Sequence, residues 1–475
     1  MFDCQRISQI LQYIFISGYG GHKMSERKLN TSVDLTGDNL LSNIIRFALP
    51  VMLSSFLEML FNAADTIIVG KFAGSDCLAA VGSTGSLFFL LVSLFNGLSV
   101  GANVLIARYV GMRDDEKLST AVHTSYYMAI VSGLLMSILG IVLARPMLQL
   151  MGTPDSILPL STRYMVICIA GCIVMVIYNF GSAILRSKGD TKRPLKYLTI
   201  AGILNVVLNM IFVIVFHLNV VGVALATVIS RALSAWLVTN TLMHENDATH
   251  LDLRKLRMDK QMVLEMMRIG IPAGFQGMMF ALSNVVMQSS INSFNSADVI
   301  AGNSAGANIE NFVYIGMGAF TQAVVTFTSA NIGAEKYDRV KKILIMCLEL
   351  GVFMCLATAL IVTTFGPFFL NFYTDSPTVL QYGQIRLRSV AIWLFLNAIL
   401  DIVVGSLRGM GSSTLPTLLM LFGITGIRVG WLIFVFPHMR SLEMVLIVFP
   451  LSWFFTSIME IILWFREYNT RFKNA

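Results

Sequence analysis

AAVGSTGSLFFLLVSLFNGLSVGANVLIA, residues 79–107, runs for twenty-nine positions without a charged side chain. About 20 apolar residues wound as an α-helix cross a hydrocarbon core of about 30 Å. Inside that core every backbone N–H and C=O must be satisfied within its own segment, and the run lacks the alternation of period two that a barrel strand needs, so it reads as a membrane-spanning helix. The same reading holds outward in both directions. Spans are expected at 43–70, 79–107, 121–143, 158–185, 195–216, 221–242, 263–290, 299–330, 341–365, 380–407, 415–436 and 441–465. The composition agrees: 56% of the 475 residues are hydrophobic and 13% charged, against about a quarter charged in soluble proteins. The expected fold is therefore an all-α integral membrane protein of about twelve transmembrane helices.

The net charge of +7 marks topology rather than a nucleic-acid partner, because the basic residues lie in short loops between spans. Arg108, Arg113, Arg186, Lys188, Arg254, Lys255, Lys336, Arg339, Arg466 and Arg471 fall on one side, and the other side holds little beyond Lys71, Arg145 and Arg440. This bias predicts both termini in the cytoplasm, in a multi-pass cell membrane protein of bacterial inner-membrane or plasma-membrane type. Residues 1–23 read as an extension without functional weight, since Leu11 to Ile16 is too short an apolar run for a signal peptide and Met24 resembles an alternative start. The six cysteines, Cys4, Cys77, Cys168, Cys172, Cys347 and Cys355, contain no CxxC pair and imply neither a zinc site nor a disulfide framework.

An internal repeat organises the chain. Arg46-Phe-Ala-Leu-Pro50 matches Arg268-Ile-Gly-Ile-Pro272, Val110-Gly111 matches Ile332-Gly333, and Leu185-Arg186 with Pro194 matches Leu407-Arg408 with Pro416, every pair 222 positions apart. Six spans per repeat is an even number, so both copies start on the same side and form two parallel-repeat six-helix bundles. The expected division is a cytoplasmic tail 1–42, a first lobe 43–242, a polar linker 243–262, a second lobe 263–465 and a tail 466–475. Two such bundles rocking about a central cavity suit a transporter.

Polar groups within the spans are few and costly, about 2.5–3.5 kcal/mol for an ionised one at mid-bilayer. Asp65, in Phe61-Asn-Ala-Ala-Asp-Thr-Ile-Ile-Val-Gly70, leads the candidates for cation coupling, able to bind a proton or Na+, with Asn62 and Glu58 on nearly the same helix face. Asn179, Asn205 and Asn209 form a second polar set in the same half; Asn205 and Asn209 are four apart and share a face. In the second half Glu310 and Asp401 are candidates for a second cation or substrate site, or for buried ion pairs with Arg428 or Arg231. The 28 methionines and 32 phenylalanines suit a deformable pocket for aromatic cations and equally suit lipid contact. There is no GxxxxGK[ST], no HExxH and no Cys/His metal spacing, and Gly302-Asn-Ser-Ala-Gly306 lies in an apolar span without the setting of a nucleophile elbow. No enzyme, cofactor or resident metal is expected; the energy comes from an ion gradient or from an unseen partner.

From about Asp34 onward these residues resemble the multidrug and toxic compound extrusion (MATE) family. The likeness rests on Asp34-Leu-Thr-Gly37 before Phe47-Ala-Leu-Pro50, on Ala64-Asp65-Thr-Ile-Ile-Val-Gly70 and Leu78-Ala-Ala-Val-Gly82, on Leu185-Arg186-Ser-Lys-Gly-Asp190, and on Ala330-Asn-Ile-Gly-Ala334 with Arg339. The resemblance implies two facing six-helix lobes and antiport of small organic cations, often drugs, against H+ or Na+. It implies a coupling role for Asp65, and it shows a departure at Asn209, where the fifth-span pattern of relatives often ends in Asp. Asp401 falls near a tenth-span acid of another branch. The alternative in the same architecture is a lipid-linked saccharide flippase, which would want a cationic cavity for which Arg231 and Arg428 are the candidates. The major facilitator family ranks third, since Tyr109 to Leu118 lacks its loop pattern; a membrane enzyme or passive channel comes last. A functional monomer is expected, because two lobes of one chain can enclose one cavity.

Overall fold

The computed structural model describes residues 32–472, and the expectations for residues 1–23 and Cys4 lie outside the described residues. Among the described residues eleven helices are long and apolar enough to cross a membrane, and a bent pair, taken as one span, makes a twelfth. In chain order they are α1 (Leu40–Ala73), α2 (Asp76–Met112), α3 (Asp115–Leu150), α4 (Leu158–Ala170 with Cys172–Ser187), α5 (Lys192–Val215), α6 (Asn219–Met243), α7 (Lys260–Asn292), α8 (Ala297–Gly333), α9 (Tyr337–Thr364), α10 (Pro377–Gly409), α11 (Thr414–Phe434) and α12 (Leu442–Phe472). Each expected span coincides with one of them, four overrunning an end by one or two residues, and among the described residues there is no strand.

The helices run past the hydrocarbon. At 1.5 Å per residue, the 37 residues of α8 extend about 55 Å, nearly twice the apolar thickness, which carries their polar ends into the loops. Side chains close several N-termini there: Asp114 accepts from the Lys117 amide, Asp259 from Met262 and Ser441 from Met444.

The 222-residue register persists in the backbone. Arg113 and Glu335 both take left-handed φ, 56° and 57°, and Gly189 and Gly411 match at 87° and 88°. Where α2 crosses α8, Gly111 and Gly333 sit in equivalent places. A Cβ on Gly111 would fall 1.9 Å from the Ala330 carbonyl oxygen, and one on Gly333 would fall 2.0 Å from that of Arg108. Glycine is required at this crossing because the partner backbone occupies the side-chain space. The same closeness joins α2 to α7, where a Cβ on Gly101 would lie 2.2 Å from the Met266 carbonyl oxygen.

The unbroken fourth span expected at 158–185 is instead bent by 42° at Gly171. The Val228 side chain of α6 fills the space a Cβ there would need, so α4 yields around it. The equivalent region of α10 also breaks, in a short 3-10 turn at Ala391–Trp393.

Each half has its own apolar core, but the first turns of α1 and α7 exchange partners. Leu40, Ile44, Phe47 and Val51 pack with Phe327, Val403, Leu407 and Trp464 of the second half, and Phe47 meets Phe327 edge-on at 5.6 Å. Met262 and Met266 pack with Val122, Tyr126 and Leu242 of the first. Next to this, Asn331 donates to the Leu35 carbonyl at 2.9 Å and Arg339 to that of Gly37 at 2.6 Å. The linker is tethered to the first half: Lys188 lies 2.6 Å from Glu245 and 3.1 Å from Asp247. Burial pushes the Asp247 carboxyl up, but the Thr249 hydroxyl and amide and the Lys188 ammonium outweigh it and hold it below the ordinary carboxylate range.

Candidate functional site

Three helices of the first half each bring a pair of polar residues to one place. Glu58 and Asp65 project from α1, Asn205 and Asn209 from one face of α5, and Thr227 and Arg231 from one face of α6. The helices can converge because α5 offers Gly202 to α1, where a Cβ would fall 1.8 Å from the Phe61 ring.

Asn209 is fully buried, and its Nδ2 donates to Asp65 Oδ1 and, at 3.3 Å, to Asn205 Oδ1. Asn205 Nδ2 in turn donates to the Thr227 hydroxyl at 3.4 Å. Arg231 donates to Glu58 at 2.5 Å, so this cation is committed to another acid. Among the described residues Asp65 has no basic side chain within ion-pair distance. A half-buried carboxylate supported by neutral amides is a group that can exchange a small cation, since its charge is not already balanced. Asp65 stands in the wall of a cavity of about 360 Å³, with Asn62, Tyr164, Thr227 and Arg231 among its neighbours.

Asn179 is not part of this cluster. It donates to Asn96 Oδ1 of α2 at 2.6 Å. In the 222-residue register Asn179 corresponds to Asp401.

The second half differs. Glu310 of α8 is buried and receives two hydrogen bonds from Arg386 of α10, Nε to Oε1 at 2.9 Å and Nη2 to Oε2 at 2.8 Å. Arg386 Nη1 donates to Asn303 Oδ1 at 2.6 Å, and Asn303 donates to Gln288 at 3.2 Å. The ion pair expected for Glu310 with Arg428 or Arg231 is thus corrected: the partner is Arg386, since Arg231 is held by Glu58 across the molecule. Asp401 is half-buried and has a 3.5 Å contact from Asn397; neither Arg428 nor Arg231 pairs with it among the described residues. Arg428 lies elsewhere, bonded to Ser452, Ser283 and Asn284 and stacked on Phe449.

Sequence reasoning passed over Arg386, Thr227 and Glu460. Arg386 lies nine residues inside α10, and a charge two turns into a span was the available signal. Thr227 carries no signal, because an isolated threonine in a helix bonds its own backbone as a rule. Glu460 is fully buried in α12, and among the described residues neither carboxylate oxygen has a hydrogen-bond partner; its proximity to the chain end hid it. The cysteines Cys77, Cys168, Cys172, Cys347 and Cys355 are free and buried.

Comparison with known proteins adds to this geometry. The sequence model of the MatE family matches residues 50–211 and again 272–432, two copies that open at Pro50 and Pro272. The chain is similar to the probable multidrug resistance protein YoeA of Bacillus subtilis (28% identity over 408 residues, 84% of this chain and 87% of that protein). It is also similar to the multidrug export protein MepA of Staphylococcus aureus (22% over 424 residues, 86% and 93%). In structure it resembles MATE in complex with MaL6 (TM-score 0.86, 22% identity, 94% of this chain and 99% of that one). It resembles as well an outward-facing multidrug resistance MATE transporter of the MOP superfamily (TM-score 0.85, 22%, 94% and 99%).

Proposed function

The chain belongs to the MatE family of multidrug and toxic compound extrusion transporters, and from that premise we propose that it exports small organic cations, drugs among them, by antiport against H+ or Na+. Its relatives carry multidrug resistance and multidrug export in their names, and efflux of varied compounds is the reading they support. The observation that carries the coupling is Asp65: a carboxylate at the wall of a large cavity, bonded by the Asn209 amide and with no basic side chain within ion-pair distance among the described residues. In this reading Asp65 takes up the coupling ion, Asn209 and Thr227 orient and complete its shell, Asn205 holds Asn209, and release follows when the cavity opens to the other side.

Further parts of the reading concern arrangement. Both termini face the cytoplasm of a bacterial-type membrane, following the Lys and Arg bias of the loops. The lobes 43–242 and 263–465 move about the linker 243–262, and one chain is the working unit. Asn179 contributes to the central cleft through Asn96 rather than to the Asp65 shell. Glu310 is a structural partner of Arg386, and Asp401 is a second site for a cation. The flippase alternative needs several free cations for a pyrophosphate, and the pairing of Arg231 with Glu58 and of Arg386 with Glu310 removes two.

The test is uptake of a fluorescent organic cation into inverted vesicles under an imposed pH gradient and then a Na+ gradient, for wild type and Asp65→Asn. Gradient-driven uptake by the wild type and its loss in the variant is the expected result, and the effective gradient names the ion. Full uptake by Asp65→Asn would sink the assignment and move it to Asp401.

A further inference from the structure

The second half encloses a cavity of about 270 Å³ lined by Phe280, Asn284, Glu310, Tyr314, Arg386 and Phe449. The charge around it does not balance. Glu310 is the carboxylate in its wall, and both of its oxygens are taken by Arg386. Arg428 stands directly behind that wall with 1% of its surface exposed. Its guanidinium lies 4.4 Å from the centre of the Phe449 ring and 5.7 Å from that of Phe280, and the Arg386 guanidinium is 5.6 Å from the Phe449 ring. Two guanidinium groups therefore share one aromatic ring, while the carboxylate in the wall serves Arg386.

All the hydrogen-bond partners of Arg428 are neutral: Ser452 and Ser283 at 3.2 Å and Asn284 Oδ1 at 3.3 Å. Its Nη2 is buried and has no partner among the described residues. An isolated buried charge is among the costliest groups a fold can hold, and guanidinium does not shed its proton to escape that cost. The remaining route is a counter-ion. Asn284 is placed to receive one: its oxygen is committed to Arg428, which leaves its Nδ2 donors for a ligand in the cavity it lines.

We propose that this cavity is an anion subsite, which holds one monovalent anion, a carboxylate of a zwitterionic solute or a halide, in the field of Arg428 and against the Asn284 amide. The first-half cavity around Asp65 has the opposite sign, so the molecule presents a cation site and an anion site in its two bundles. A solute carrying both charges is accommodated by this pair, and a purely cationic one leaves the second site to a free halide.

Binding to the full chain in lipid nanodiscs tests this without any gradient, so the outcome is separate from the fate of the antiport reading. Two dyes that differ only in their carboxyl serve as probes, rhodamine 110 with the free acid and rhodamine 123 with its methyl ester, each in buffer whose anion is the divalent sulfate and in chloride buffer. In sulfate the wild type is expected to bind the acid about tenfold more tightly than the ester, the scale of one charge-assisted hydrogen bond. Arg428→Met should bind both alike, and Arg428→Lys should keep the preference. A preference that survives chloride assigns the site to the solute's carboxylate. One that chloride erases, with a chloride-dependent rise in the thermal midpoint of wild type and not of Arg428→Met, assigns it to the halide. Should Arg428→Met fail to insert, Asn284→Leu keeps the buried charge, removes the amide, and is expected to lose the preference. Equal binding of acid and ester by the wild type with no chloride effect overturns the proposal, as does an undiminished preference in Arg428→Met or Asn284→Leu.

Discussion

In the first half Asp65 takes one hydrogen bond from Asn209 and faces a large cavity; in the second half Glu310 takes two from Arg386 and is sealed at 2% exposure. Both acids sit on long helices of one repeating fold, yet their surroundings differ in charge. A carboxylate clamped by a bidentate guanidinium is already neutralised and geometrically saturated. One supported by amides keeps a charge that a mobile cation can answer. A duplicated scaffold thus supplies two pockets, and the position of a few arginines decides which acid has no basic side chain within ion-pair distance among the described residues and which is clamped.

The comparison can be broken most decisively at Asp65. Asp65→Asn is expected to reduce gradient-driven dye transport to background while its stability, read as a thermal midpoint in nanodiscs, changes by less than about 1 kcal/mol, since the shape is kept. Glu310→Gln should do the reverse: the variant strands the Arg386 charge and loses about 3–5 kcal/mol of stability, and replacing both partners, Glu310→Leu with Arg386→Met, should recover most of it. Equal stability loss at the two acids would end the distinction.

A smaller effect tests the symmetry beneath the contrast. Gly111→Ala and Gly333→Ala occupy equivalent crossings and should each cost about 1–3 kcal/mol by overpacking, the two values agreeing within error. Asn209→Leu removes the amide donor to Asp65 and should raise the half-saturating concentration of the coupling ion about tenfold, with transport restored at higher concentration. Lys188→Met should loosen the linker tether by about 1–3 kcal/mol, since Lys188 and Glu245 are largely buried while Arg193 still holds Glu245. Because the Asp247 carboxyl is held below its ordinary value, its contribution is present above that value and is lost as pH falls through the acid range. Limited proteolysis of residues 243–262 at neutral and acid pH reads this directly.

Much of the site was visible as residue types. Asp65 stood out as an acid in an apolar run, and the spacing of Asn205 and Asn209 announced a shared face. Their meeting with each other and with Thr227 was not visible, because it depends on how closely α5 approaches α1 at Gly202. The grouping of Asn179 with them followed from shared chemistry within one half, whereas α4 turns Asn179 toward α2 and Asn96. Arg386 went unread because a charge near a span end suggests the membrane surface, but a bidentate acid on a neighbouring helix lets it lie two turns within.

By itself the sequence determined the helices, about twelve in number, and the twofold repeat, since the cost of an unsatisfied backbone in hydrocarbon leaves one local structure and a common 222-residue spacing of similar motifs marks two copies. The pairing of charges was decided only by the tertiary structure. Helices in a membrane are driven together by packing and small-residue contacts rather than by the pattern of their charges, so which arginine meets which acid, and which is left without one, follows from the crossings at Gly101, Gly111, Gly202 and Gly333 and from the bend at Gly171.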